Sequence, residues 1–265
     1  MSKNFDELVS VMARLRAPGG CPWDREQTYA SLAPYLLEEA YESFDAIHDA
    51  TAGKPENLRE ELGDLLLQII FHSQIAEERG DFTIEDVCAQ ITEKMILRHP
   101  HVFGDKKLDT ATDVLDNWDD LKRAEREITK REEKPKDSIL DDVPLAFSGL
   151  IEANKLTKKA AKVGFDWENA EQIFDKLNEE ITELKAEIAA SETGKIEAEI
   201  GDLLFVIVNL ARKFDVEPET ALKRTNRKFR QRFKFIEYEL KKQGKSLEES
   251  SLEAMDELWN EAKKL

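Results

Sequence analysis

The feature that most constrains this chain is an ordered series of charged and aromatic residues that occurs twice. In the first half, Glu39 and Glu42 are followed by Glu61 and Asp64, then Lys94 and Arg98, then Trp118 and Lys122. In the second half, Glu180 and Glu183 are followed by Glu199 and Asp202, then Lys228 and Arg232, then Trp259 and Lys263. The acids in each pair are three residues apart and the later pairs are four apart. Both spacings put two side chains on one face of a helix, about 5–6 Å apart at Cβ. Two acid-bearing helices packed face to face would gather four carboxylates. With 56 acids among 265 residues, one Glu-x-x-Glu pair means little. The same order of acids, bases and tryptophan in both halves is far more specific, and it predicts two related units.

The segments that carry the series read as helices. Glu, Lys, Leu, Ala and Arg dominate, while the chain has only 11 Gly and 8 Pro. Phe5, Leu8, Val9, Met12 and Leu15 form a helical stripe that stops at Ala17-Pro18-Gly19-Gly20. Cys21-Pro22-Trp23-Asp24 leads into the first acid-bearing helix, which ends at Thr51–Pro55. The next helix spans about Glu56–Glu78. Its run Leu65–Phe71 could pass for a buried strand, but the length and polar flanks of the segment favour a helix. Thr83 or Asp81 caps a helix reaching about Arg98, which His99-Pro100-His101 ends, and a further helix spans about Val114–Lys130. Residues 123–137 are nearly all charged and close on Lys134-Pro135-Lys136. A connecting helix near Pro144–Val163 then leads to Gly164-Phe165-Asp166-Trp167 and the second series. The expected class is all-α, with two tandem four-helix units at 1–122 and 144–265 and a charged linker at 123–143.

Composition excludes several functions. A formal net charge of −17 disfavours binding to a nucleic-acid polymer. Met1–Arg16 lacks a signal-peptide core, and the apolar stretches are too short to span a bilayer. Cys21 and Cys88 give no disulfide framework. A soluble, cytoplasmic protein is expected.

Clustered carboxylates repel, so they either raise one another's pKa or bind cations. An all-oxygen set suits Mg²⁺, with Mn²⁺ as a possible substitute, better than zinc. Lys228 and Arg232 can neutralise phosphate oxygens, and Lys176 and Lys195, each one turn before an acid pair, can add to that charge. Trp259 can stack on a base. Gly63 and Gly201, each between two acids in a helix, suggest close backbone approach there. His99 and His101 flank a proline at a helix end and are set aside as ligands. A di-iron carboxylate bundle would need Glu-x-x-His on two helices. The residues three before the histidines are Asp45, Ile69, Ile96 and Arg98, which leaves that reading weak. A non-catalytic helical adaptor binding nucleotide or protein is the remaining alternative.

The sequence resembles the MazG family of nucleoside triphosphate pyrophosphohydrolases in its long, two-copy form. The resemblance rests on Glu38-Glu39-x-x-Glu42 with Glu61-x-x-Asp64, and on Glu179-Glu180-x-x-Glu183 with Glu199-x-x-Asp202. Gly20–Asp24, Arg98–Phe103 and Val163–Trp167 add to it. It implies an all-α NTP pyrophosphatase fold, a homodimer, Mg²⁺ dependence, and hydrolysis of NTPs or dNTPs to the monophosphate and pyrophosphate. It also implies that Glu180, Glu183, Glu199 and Asp202 are the metal ligands and catalytic acids. Lys176, Lys195, Lys228, Arg232 and Trp259 become the nucleotide contacts, with Glu179 as a candidate base. The second copy is the one expected to work. Glu39, Glu42, Glu61 and Asp64 form a second candidate metal site, but Asn57 stands there where the other copy has Lys195.

Overall fold

A computed structural model of the chain describes residues 3–129 and 137–264. These residues are helical, with no strand among them, and the chain divides into two compact units, Met1–Glu132 and Glu133–Leu265. The all-α class is as expected. No described helix is long and apolar enough to cross a membrane.

The first unit contains α1 (Lys3–Arg16), α2 (Pro22–Glu26), α3 (Tyr29–Thr51), α4 (Glu56–Arg79), α5 (Ile84–Arg98), α6 (Pro100–Phe103), α7 (Ala111–Asp116) and α8 (Trp118–Thr129). Helix α3 begins at a reciprocal capping box between Thr28 and Ser31, and α5 at one between Thr83 and Asp86. Asp81 instead pairs with Arg79. Helix α4 ends at Gly80, whose φ of 75° favours glycine. The apolar stripe of α1 meets Leu32 of α3, Ile70, Phe71 and Ile75 of α4, and Ile84 of α5 around buried Met12. Burying each such side chain is worth about 1.5–3 kcal/mol, so this cluster fixes α4 as a helix despite its strand-like run.

The second unit contains α9 (Gly149–Lys162), α10 (Ala170–Ala190), α11 (Thr193–Lys213), α12 (Pro218–Lys242) and α13 (Leu252–Ala262). Helices α10 and α11 are joined by Ser191 and Glu192 alone, and so short a link folds them back as an antiparallel pair. Helix α9 lies against α11 and α12, and α13 against α12. Among the described residues each unit thus has four long helices and a shorter one bearing the last tryptophan, and the first unit adds the short α2, α6 and α7.

Two local expectations differ from the structure. The helix expected over Val114–Lys130 is broken at Asn117, whose side chain and backbone N–H both bond the Asp113 carbonyl and close the short α7. Helix α8 then runs to Thr129, in keeping with a helix end at the start of the charged stretch, whose Lys134–Lys136 lies outside the described residues. Gly63 and Gly201 do not mark close approach within the described chain, because a Cβ at either position would meet nothing within 4 Å.

Candidate active site

The α10–α11 pair brings the second set of acids together. Glu180, Glu199 and Asp202 each place a carboxylate oxygen within 4.8 Å of the others. Oxygens about 2.1 Å from one cation lie at most about 4.2 Å apart, so these three need to close only slightly to share a divalent ion. Glu180 is only 4% exposed, and Glu199 has a buried oxygen, Oε2, with no hydrogen-bond partner. Desolvation pushes the Glu199 carboxyl up, and the charges of Glu183, Glu180 and Asp202 push it the same way. A buried, unpartnered carboxylate oxygen among like charges is an environment that a hard cation would relieve. Glu183 lies outside the close triad and acts on it through its charge.

Lys176, one turn before Glu180 on α10, carries the nearest cation. Its Nζ lies 2.7 Å from Glu180 Oε1 and 2.7 Å from Glu179 Oε1. These two hydrogen bonds, to Glu179 and then Glu180, hold its pKa above the ordinary lysine range. Lys195 does not join the triad; its nearest acid is Glu187, 3.7 Å away. Arg232 and Trp259 form a separate group on α12 and α13, with Lys228 one turn before Arg232 on α12. Arg232 lies 5.4 Å from the Trp259 ring, and Phe229 packs 5.2 Å from it. Among the described residues, no hydrogen bond or ion pair joins this group to the acids.

Beside the triad is a feature that the sequence reading missed. A cavity of about 610 Å³, within the range of small-molecule sites, counts Lys176, Glu180 and Asp202 among its lining residues. Leu156, Phe165, Trp167, Phe205 and Val206 form apolar wall, and Thr157, Asp166, Asn209 and Arg212 add polar groups. The Gly164–Trp167 turn is pinned to the end of α11. Asp166 accepts from Arg212, and Lys213 Nζ donates to the Trp167 carbonyl at 2.6 Å. The signal was available, since Phe165, Asp166 and Trp167 stood in a motif already singled out.

The first unit keeps the acids but has bulkier side chains beside them. Glu39, Glu61 and Asp64 also lie within 4.8 Å of one another. Burial first, then neighbouring acids, raises both Glu39 and Glu61, although a hydrogen bond from Asn57 partly offsets the rise at Glu61. Glu42 lies outside this triad and contributes its charge. Counting from matched acids and tryptophans, Lys176 corresponds to Tyr35, Asn209 to Phe71 and Ala160 to Arg16. Trp23 packs edge-on against Tyr35 and Phe71, at 6.0 and 6.5 Å, and Arg16 covers the Phe71 ring at 5.5 Å. Large side chains therefore stand where the second unit has its cavity. Arg98, the counterpart of Arg232, is bound 3.0 Å from Glu125, which is only 2% exposed.

The profile of the MazG nucleotide pyrophosphohydrolase domain matches residues 27–103 and 168–236, once in each unit. The chain belongs to the MazG family. The nucleoside triphosphate pyrophosphohydrolase/pyrophosphatase MazG of Thermotoga maritima is 46% identical over 98% of this chain and 95% of its own length. The nucleoside triphosphate pyrophosphohydrolase of Escherichia coli K12 is 43% identical over 98% of this chain and 97% of its own. YabN of Bacillus subtilis, an uncharacterized protein, is 48% identical over 98% of this chain but only 51% of its own length. Both MazG matches span the acid-bearing helix pairs, and the second stops at Ile236, before Trp259.

Proposed function

We propose that this protein hydrolyses NTPs and dNTPs between the α and β phosphates, giving the nucleoside monophosphate and pyrophosphate. The observation that carries the reading is the Glu180–Glu199–Asp202 triad opening onto a cavity walled by Trp167 and Phe165. Such a site offers charged groups for phosphates and apolar wall for a base.

Glu180, Glu199 and Asp202 would hold Mg²⁺, or Mn²⁺ in its place, with Glu183 contributing charge. When bound, the cation would neutralise phosphate charge and polarise the scissile linkage. Lys176 is placed to meet phosphate oxygens as well as Glu179 and Glu180. Glu179, outside the triad, is the candidate to take the proton of the attacking water. Lys228 and Arg232 fit a phosphate-binding group with Trp259 as an aromatic surface beside Arg232, and Lys195 a more peripheral cation. In the first unit, Glu39, Glu42, Glu61 and Asp64 form a cation-binding set with Tyr35, Phe71 and Trp23 packed together nearby.

A homodimer is part of this proposal. Ile200, Leu204 and Ile207 are exposed at helical spacing on α11, and Gly201 beside them has open space over its Cβ position. Close approach of a second copy would use that face. The two free cysteines suit a cytoplasmic setting, and the charge of −17 argues against a nucleic-acid polymer as partner.

The test is pyrophosphate release from dNTPs with Mg²⁺ by wild type, Glu180→Gln and Asp202→Asn. Both variants should lose at least two orders of magnitude in kcat/KM. Undiminished release in both would remove the proposed site.

A further inference from the structure

The polar wall of the cavity has a fixed hydrogen-bonding sense. Asn209 Oδ1 accepts from Arg212 Nε at 3.0 Å and from Arg212 Nη2 at 2.7 Å. A guanidinium only donates, so the amide atom facing it must be the oxygen. The amide nitrogen then points away from Arg212, and it donates to no acceptor among the described residues. Arg212 is itself immobilised: its side chain is 10% exposed, and Asp166 accepts from both Nη1, at 3.2 Å, and Nη2. Asp166 in turn accepts from the Trp167 backbone N–H at 2.9 Å. With both lone pairs of its oxygen engaged by Arg212, the polar group that Asn209 has left to offer a ligand in the cavity it lines is its amide nitrogen, a donor.

Its position selects what it would meet. Asn209 lies seven residues beyond Asp202 on α11, or about 10 Å along the helix axis. A nucleotide laid along α11 with its phosphates at the triad brings the far edge of its base to Asn209. That edge carries the exocyclic group at C4 of a pyrimidine or C6 of a purine. A carbonyl there would accept from the amide, whereas an amino group would set donor against donor and leave both unsatisfied.

We propose that Asn209 reads the base of the substrate, favouring oxo bases (uracil, thymine, hypoxanthine, guanine) over their amino counterparts, with Arg212 and Asp166 as positioning residues. This rests on the pyrophosphohydrolase reading, and failure of that reading is separately visible as no pyrophosphate release by wild type from any triphosphate. The clean comparisons are dITP with dATP and dUTP with dCTP, which differ chiefly at the group Asn209 would face. Wild type should favour the oxo member about tenfold in kcat/KM. Asn209→Asp keeps one oxygen for Arg212 and turns an acceptor toward the cavity, so both preferences should invert. Asp166→Asn loosens Arg212 and should bring both ratios toward one, a shift that a purely structural role would not produce. If Asn209→Asp does not fold by thermal melting, Asn209→Ser, whose hydroxyl can donate or accept, must bring the ratios close to one. Equal rates for oxo and amino substrates in wild type, or unchanged ratios in the variants, would overturn the assignment.

Discussion

Trp167→Ala separates base binding from chemistry. Trp167 is half-buried, lines the cavity that also holds Glu180 and Asp202, and is tied to the protein by its main chain. Its carbonyl accepts from Lys213 at 2.6 Å and its N–H donates to Asp166 at 2.9 Å. Alanine preserves both bonds, so the turn should hold its course while the indole is lost. Stacking of a base on an aromatic side chain is worth about 1–3 kcal/mol. At about 1.4 kcal/mol per factor of ten, a loss of 2 kcal/mol raises KM about 30-fold. The triad is untouched, so kcat should stay within a few-fold, the pattern of lost uniform binding. The assay is steady-state pyrophosphate release over a range of dNTP concentrations, with inorganic tripolyphosphate as a base-free competitor. Inhibition by tripolyphosphate should be the same in variant and wild type. A KM within twofold of wild type, or an equal weakening of tripolyphosphate, would refute the placement of the base in this cavity.

Two further outcomes follow from the electrostatics. The Glu199 carboxyl is pushed up by burial and then by its acidic neighbours, so the folded state holds its proton more tightly than the unfolded chain does. Stability should therefore fall as pH rises from the ordinary glutamate range through the raised value. At neutral pH in chelator, Glu199→Gln should melt above wild type, and millimolar Mg²⁺ should raise the melting temperature of wild type but not of the variant; identical curves would count against a strained cluster. In the first unit, Arg16→Ala removes a two-bond contact to Glu78, at 2.7 and 2.8 Å, and bonds to the carbonyls of Asp24 and Gln27. It should cost about 2–3 kcal/mol, measured by chemical denaturation. Arg16 holds the Glu78 carboxyl below its usual range, chiefly by hydrogen bonding, so that contribution is present above the ordinary glutamate range and lost as pH falls through the lowered value. The variant should lack this part of the acid sensitivity.

What was legible in the sequence was whatever depends on spacing along one helix. Glu180 with Glu183, and Glu199 with Asp202, announce a shared face, and the repeat announces that two such faces meet. What stayed hidden depends on which helix lies against which. Lys195 sits one turn before Glu199, as Lys176 does before Glu180, yet Lys195 leans toward Glu187 on the neighbouring helix. Trp259 drew attention because it closes the repeated series, whereas the tryptophan lining the cavity is Trp167, in the turn before α10. The use of Asn209 depends on an arginine three residues on and an aspartate in a distant turn. The glycines pose a related problem: a helix interior glycine signals something about its surroundings without saying whether they belong to the same chain.

The crowding of Trp23, Tyr35, Phe71 and Arg16 in the first unit has a consequence for reading other chains of this kind. Both units carry a close carboxylate triad on a helix pair, so the acids cannot by themselves tell a hollow repeat from a filled one. Bulk at three positions can. Arg16, Tyr35 and Phe71 stand in one unit at the positions where Ala160, Lys176 and Asn209 line the opening in the other. A duplicated sequence could thus be sorted, copy by copy, from the size of three side chains that carry none of the proposed metal chemistry.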